Sequence, residues 1–251
     1  LVINSSDTTI LISSHGNLNS TPNPGLYMTF DAGGAWTKLE GGLPSSNFGR
    51  TSLSISRSNP SVVYAGISNG SSSSIIGLYK SNDGGLTWNL MTTTNYVGSQ
   101  GWYDNVVAVH PTDPATVYCS GFNLHKSSNS GTSLPEISSG SVHVDHHAIA
   151  FDPSDPRTIY FGTDGGIYKT TDSGTTFIDL NKRFLTTQFY PGFANAADDS
   201  TIAMGGLQDN GTLKYTGSPS WIPIWGGDGG WCAIDPTNKN TIYAETQYGR
   251  I

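Results

Sequence analysis

Short apolar runs separated by turns rich in Pro, Asp and Asn dominate the chain. Val63-Tyr64-Ala65-Gly66 follows Asn59-Pro60, Val117-Tyr118 follows Asp113-Pro114, and Ile159-Tyr160-Phe161-Gly162 follows Asp155-Pro156. Weaker copies run from Asp7 to Ile12, from Asp199 to Ile202 and from Asn238 to Tyr243. Another apolar run precedes the turn, as at Val106 to Val109, Ala148 to Phe151 and Cys232 to Ile234. Apolar runs of this brevity, bounded by turn formers, predict strands, and no amphipathic run of helical length interrupts them.

A second signal runs in phase with the first. Ser81 to Trp88 reads Ser/Thr-x-Asp-x-Gly-x-x-Trp, built on Asp83, Gly85 and Trp88. Thr29 to Trp36 repeats it with Asp31, Gly33 and Trp36, and Thr170 to Phe177 with Asp172, Gly174 and Phe177. Ser127 to Leu134 is a worn copy with Asn129 and Leu134, and a remnant lies around Thr216 to Trp221. The last positions of these motifs are 36, 88, 134, 177 and 221, spaced by 52, 46, 43 and 44 residues. A period of that size predicts a repeat architecture. In each copy a short Asp can fold back onto backbone N–H groups, and Gly admits positive φ in a tight turn. The closing aromatic is expected to pack as a peg between neighbouring units.

This motif resembles the Asp-box, or BNR, repeat. The resemblance implies an all-β protein, a β-propeller of four-stranded antiparallel blades with the boxes at the turns between strands c and d. About five and a half blades are expected, over units at about 1–43, 48–95, 102–138, 144–181, 187–226 and an incomplete 231–251. The half unit would leave strand edges unpaired, so the chain reads as one propeller domain cut from a longer protein, whose remainder is its nearest partner. Sialidases, xyloglucan-cleaving endoglucanases, sortilin-type receptors and photosystem assembly factors all carry such boxes, so the resemblance implies a fold and not one activity.

Composition narrows the function. The 251 residues carry a net charge of −7, and the 12 Lys and Arg are scattered, so no basic face for nucleic acid is expected. No apolar run is long enough for a membrane span. Cys119 and Cys232 fall in different units and are expected to be unpaired and buried. There is no phosphate loop, nucleophile elbow or zinc spacing.

Antiparallel connectivity puts the boxes and Pro turns on one rim and the b–c and d–a loops on the other. In enzymes with such boxes the working face is the second rim. There the sequence gathers Asp104, Asp145, Asp164, Asp209 and Asp228, with His143, His146 and His147, Gln208, and the aromatics Trp102, Tyr103, Tyr190, Trp225, Trp231 and Tyr248. Three readings compete. Asp-Gly and Asn-Gly pairs shape hairpin turns. Two carboxylates can serve as acid and base for glycoside cleavage, with aromatics stacking on sugar rings. A cation can also sit here, Ca²⁺ on the carboxylates or a transition metal on the histidines, although no cofactor is required. Of His146 and His147, adjacent on a strand, one is expected to be packed.

The segment Val144 to Pro153, with Thr163-Asp164-Gly165-Gly166-Ile167-Tyr168, resembles secreted bacterial Asp-box proteins of the sortilin-like and xyloglucanase-like groups. That resemblance makes Asp164 the base, with Asp209 or Asp228 the acid. Sialidase activity is excluded, because the five arginines, at 50, 57, 157, 183 and 250, form no Arg-Ile-Pro segment and two of them lie on the wrong rim. The expected ligands are carbohydrate or surface glycan, recognised through Trp102, Tyr103, Asp104, Asp145, His146, Gln208, Trp225 and Trp231. The alternative is a non-catalytic, sortilin-like scaffold or adhesion module that binds protein partners. Either is expected to be secreted or on the cell surface.

Overall fold

A computed structural model describes residues 1–16, 22–183 and 188–250. Residues 187 and 251, which bound two of the sequence repeats, lie outside the described residues. The chain divides into two compact units, Leu1–Lys182 and Arg183–Ile251. Both are all-β, and their strands pair antiparallel in sequence order.

The first unit holds four sheets. The first has β1 (Val2–Ile3), β2 (Leu11–His15), β3 (Gly25–Thr29) and β4 (Thr37–Leu39), and the second has β5 (Phe48–Ile55), β6 (Val63–Asn69), β7 (Ile75–Ser81) and β8 (Asn89–Thr92). The third has β9 (Val106–Val109), β10 (Val117–Ser120) and β11 (Leu124–Ser127). Its fourth member is reduced to a bridge between His125 and Glu136. The fourth sheet has β12 (His146–Phe151), β13 (Ile159–Thr163), β14 (Gly166–Thr170) and β15 (Ile178–Asp179).

The second unit holds a four-stranded sheet of β16 (Ala194–Asn195), β17 (Ala203–Leu207), β18 (Gly211–Tyr215) and β19 (Ile222–Trp225). Its other sheet pairs β20 (Gly229–Ile234) with β21 (Ile242–Thr246). The helical content among the described residues is two short 3₁₀ turns.

The core of the first unit lies in layers between successive sheets. Ile12, Leu26 and Met28 of the first sheet pack with Val63, Ala65 and Ile67 of the second. Tyr64 and Leu78 pack with Val107, Val117 and Cys119 of the third, and Tyr118 and Leu124 with Ile159 and Phe161 of the fourth. The second strand of a sheet therefore serves two layers at once, which is why all but the last residue of β6 is buried.

The repeated turns are wired alike. The hydroxyl of Thr29, Ser81, Ser127 or Thr170 donates to Asp31, Asp83, Asn129 or Asp172 at 2.6–2.9 Å. The same hydroxyl accepts the N–H of Gly33, Gly85, Gly131 or Gly174, each at positive φ between 88° and 104°. The Asp or Asn oxygen then accepts the N–H four residues on. Asn129 keeps this wiring because an amide oxygen accepts as a carboxylate does. At Asp83, hydrogen bonds from Thr87 and Ser81 outweigh burial and hold the carboxyl down at about 2.

Three of the four closing residues meet the expectation of a peg. Trp88 and Leu134 are buried, and Phe177 packs against the Tyr118 and Phe161 layer. Trp36 is a correction, being 41% exposed and outside every core cluster described. Cys119 and Cys232 are both free, but Cys232 is only half-buried, because β20 has its single partner β21.

Asp83→Ala is expected to cost about 1 kcal/mol in urea unfolding, by leaving the Thr87 N–H without its acceptor. The Asp83 contribution is present above an unfolded carboxyl's ~3.9 and is lost as pH falls through about 2, so the variant should lose its deficit in strong acid.

A second set of contacts joins successive sheets. The Tyr64 hydroxyl donates to the Pro114 carbonyl at 2.8 Å and Lys80 Nζ to Ser130 Oγ at 3.0 Å. One sheet later, the Tyr118 hydroxyl and Lys126 Nζ both donate to the Ser173 carbonyl, at 3.0 and 2.9 Å. Each Lys lies over the ring of its Tyr, at 5.8 and 5.5 Å.

Candidate functional site

Three loops of the first unit converge beyond the ends of their sheets. The segment before β9 winds into a turn in which the Gln100 carbonyl accepts the N–H groups of Tyr103 and Asp104 at 2.7 and 3.0 Å. Arg50 pins this turn by donating to the Trp102 carbonyl at 3.3 Å and to that of Tyr103. The residue before β12, Asp145, takes a left-handed φ of 63°. Asp164 opens the two-residue turn between β13 and β14, and its N–H donates to the Asp145 carbonyl at 3.1 Å. A Cβ on the next residue, Gly165, would meet the His143 side chain at 2.3 Å, so the turn closes only with glycine there.

Side chains complete the cluster. Asp164 accepts from the Tyr103 hydroxyl at 2.8 Å and meets His147 Nε2 at 2.7 Å. Asp145 and Asp164 bring carboxylate oxygens within 4.8 Å of each other. Gln100 Nε2 donates to Asp104 Oδ2 at 3.0 Å and also to Asp145 Oδ1. The Tyr103 ring stands edge-on to His147 at 4.8 Å, and Trp102, 47% exposed, lies 5.5 Å from Tyr103. An exposed indole beside half-buried carboxylates is an arrangement that stacks on a sugar ring while polar groups meet its hydroxyls.

Bulges explain the aim of two of these side chains. The pairing of β12 with β13 slips between His146 and Ala148, leaving His147 as the extra residue. His146 therefore turns inward and is fully buried, while His147 faces Asp164. The sequence reading chose His146 for the ligand face; the residue that meets the carboxylate is His147. A similar slip in β5, between Phe48 and Thr51, frees Arg50 to reach the 102–103 carbonyls.

Burial sets the charges. Burial pushes Asp104 up to about 7, and the Asp145 charge adds to this against the hydrogen bond from Gln100 and the charge of Arg50. Asp145 is also raised by burial and by Asp164, against its bond from Gln100. His146 is pushed down to about 4 by burial, then by His143, His147 and His125. Both His146 ring nitrogens and Asp104 Oδ1 are buried without a hydrogen-bond partner.

Folded Asp104 holds a proton that an unfolded carboxyl releases near ~3.9. The stability this gives is present below ~3.9 and lost as pH rises through about 7. Asp104→Asn is expected to flatten that slope and to raise stability at pH 8 by about 1–3 kcal/mol, read from urea unfolding across pH 4–8.

The second unit holds expected residues of its own. Asp228 accepts the Asp209 N–H at 2.7 Å and the Gln247 amide at 3.0 Å, so its carboxylate holds the loop around Asp209, which sits at φ 60°. Gln208 is exposed, as are Trp225 and Trp231, at 59% and 64%. Burial raises Tyr190, with Asp228 and Asp209 adding to the shift. Gln100 and Arg50 were not singled out from sequence, since each meets partners 45 or more residues away through loop geometry no local pattern records.

No known family profile matches the chain. Over 124 residues, 47% of this chain, it is 32% identical to a xyloglucanase of Hypocrea jecorina (strain QM6a), of which it spans 14%. Among solved structures it is similar to the GH74 enzyme of Niastella koreensis, at 17% identity and TM-score 0.58 over 96% of this chain and 43% of that one. It is likewise similar to the GH74 xyloglucanase of Xanthomonas campestris, at 16% identity and TM-score 0.58 over 99% and 42%. The fold is thus that of a β-propeller with four-stranded antiparallel sheets.

Proposed function

We propose that this chain recognises carbohydrate on the loop face of its first unit and cleaves a glycosidic bond there, acting as a secreted or surface glycoside hydrolase on a xyloglucan-type glucan. The repeated turns are read as Asp boxes and the sheets as successive blades. The observation that carries the reading is the Asp145–Asp164 pair, with carboxylate oxygens within 4.8 Å of each other, beside Trp102 and Tyr103. Two carboxyls in unlike environments divide the acid and base roles. Asp145, raised by burial, is the proton donor. Asp164, held by Tyr103 and His147, is the carboxylate that acts on the anomeric carbon. A close pair, with carboxyls ~5–5.5 Å apart, leaves no room for a water and belongs to retaining chemistry. Asp209 and Asp228, the acids expected from sequence, belong to the second unit, and Asp228 is engaged by Asp209 and Gln247. Similarity to xyloglucanases supports the choice of substrate class.

The test is a glycan array followed by reducing-sugar release from xyloglucan. Binding with release supports the proposal. Binding without release reduces the protein to a lectin-like module, and no binding leaves the scaffold reading, with protein partners.

A further inference from the structure

We propose that Gln100 is a positioning residue whose side-chain amide clasps Asp104 and Asp145, one N–H to each, and so governs how Asp145 faces Asp164 and how a proton is shared behind the pair. The inference rests on the carbohydrate reading for its purpose but not for its geometry. One amide nitrogen donates to both carboxyls, using its two hydrogens. The clasp is itself held, because the Gln100 carbonyl receives the N–H groups of Tyr103 and Asp104, while Arg50 fixes the far side of that turn. The side chain cannot turn away without leaving two carboxyl oxygens underpaired, that of Asp104 in a fully buried place and that of Asp145 in a half-buried one, which is costly. Asp104 is sealed from solvent, with Oδ1 unpartnered among the described residues, so this amide is what holds its other oxygen.

Charged and titratable groups of the first unit face the clasp from several elements. Asp104 is faced by Arg50 from β5, and by Asp145 from the segment before β12. Asp164 faces Asp145 from the β13–β14 turn, with His143 and His147 alongside. Tyr96 feels the Asp104 charge from the other side, beside Cys119. The hydrogen bond from Gln100 favours the ionised form of both carboxyls, so its loss should move both titrations upward.

Carboxyl ¹³C NMR titration of Asp104 and Asp145 tests this in the intact protein, with Gln100→Ala and, should that variant not fold, Gln100→Asn. The expected result is an upward shift of both titrations in the variant, with the alkaline limb of any turnover profile, set by the proton donor Asp145, moving the same way and KM little changed. Gln100→Glu should not restore the native titrations, since a carboxylate donates nothing to its neighbours. An Asp145 titration unmoved in a folded variant would overturn the proposal. Shifted titrations in a protein that binds no glycan would retain the clasp and refute only the carbohydrate reading.

Discussion

Asp164→Asn is expected to lower glucan turnover by at least roughly 10²–10⁴-fold, the range for losing a general acid or base, because an amide cannot form the glycosyl-enzyme bond of retaining chemistry. Asparagine keeps the shape and can still accept from the Tyr103 hydroxyl, so the turn should survive. What disappears is the negative charge facing the anomeric carbon. Binding of the sugar to the exposed Trp102 should persist, leaving KM within a few-fold while kcat falls. Initial rates of reducing-sugar release, with circular dichroism as a control for folding, give the answer. Unchanged turnover in the variant would remove Asp164 from the chemistry.

Phe161→Ala is expected to destabilise the first unit by about 3–5 kcal/mol. Phe161 is fully buried between the third and fourth sheets. Its ring meets Phe177 edge-on at 5.8 Å and His146 at 6.4 Å. Truncation leaves a cavity in this layer, and the cost follows from how little the neighbours collapse into it. At about 2–4 °C for each kcal/mol in a domain of this size, the melting temperature should fall by roughly 6–20 °C. Because His146 packs on the same ring, the variant should also disturb the adjoining Asp145. Calorimetry measures the first effect, and the Asp145 titration reads the second. A loss below about 1 kcal/mol would mean that the layer is not closed around this ring.

The fold was legible because its signals are local. A Pro or Asp turn before an apolar strand, and a hydroxyl, an Asp and a Gly at fixed offsets, each record a hydrogen-bond pattern spanning four or five residues. Asn129 shows how far this holds, since its turn closes as the others do despite the changed residue. Trp36 shows where it stops, because the motif specifies the turn and not the layer that would cover the indole. The candidate site was legible in part. Alternation of loops brought Tyr103, Asp104, Asp145 and Asp164 to one rim, and the structure joins them by hydrogen bonds. Bulges are not written in the pattern of apolar and polar positions. A slip of one residue exchanged the roles of His146 and His147, and another released Arg50. Gln100 left no trace in the sequence, since an amide in a polar loop reads like any other.

The Tyr and Lys pair reaching from one sheet to the turn of the next has a consequence for how such a chain grows. The Tyr hydroxyls reach backbone carbonyls, at Pro114 and Ser173, which every residue supplies whatever its side chain, while Lys80 reaches the Ser130 hydroxyl. A gene segment copied in tandem would carry its own phenol and would find a waiting carbonyl in whatever follows. Lineages could therefore gain or lose whole modules without inventing a new joint each time.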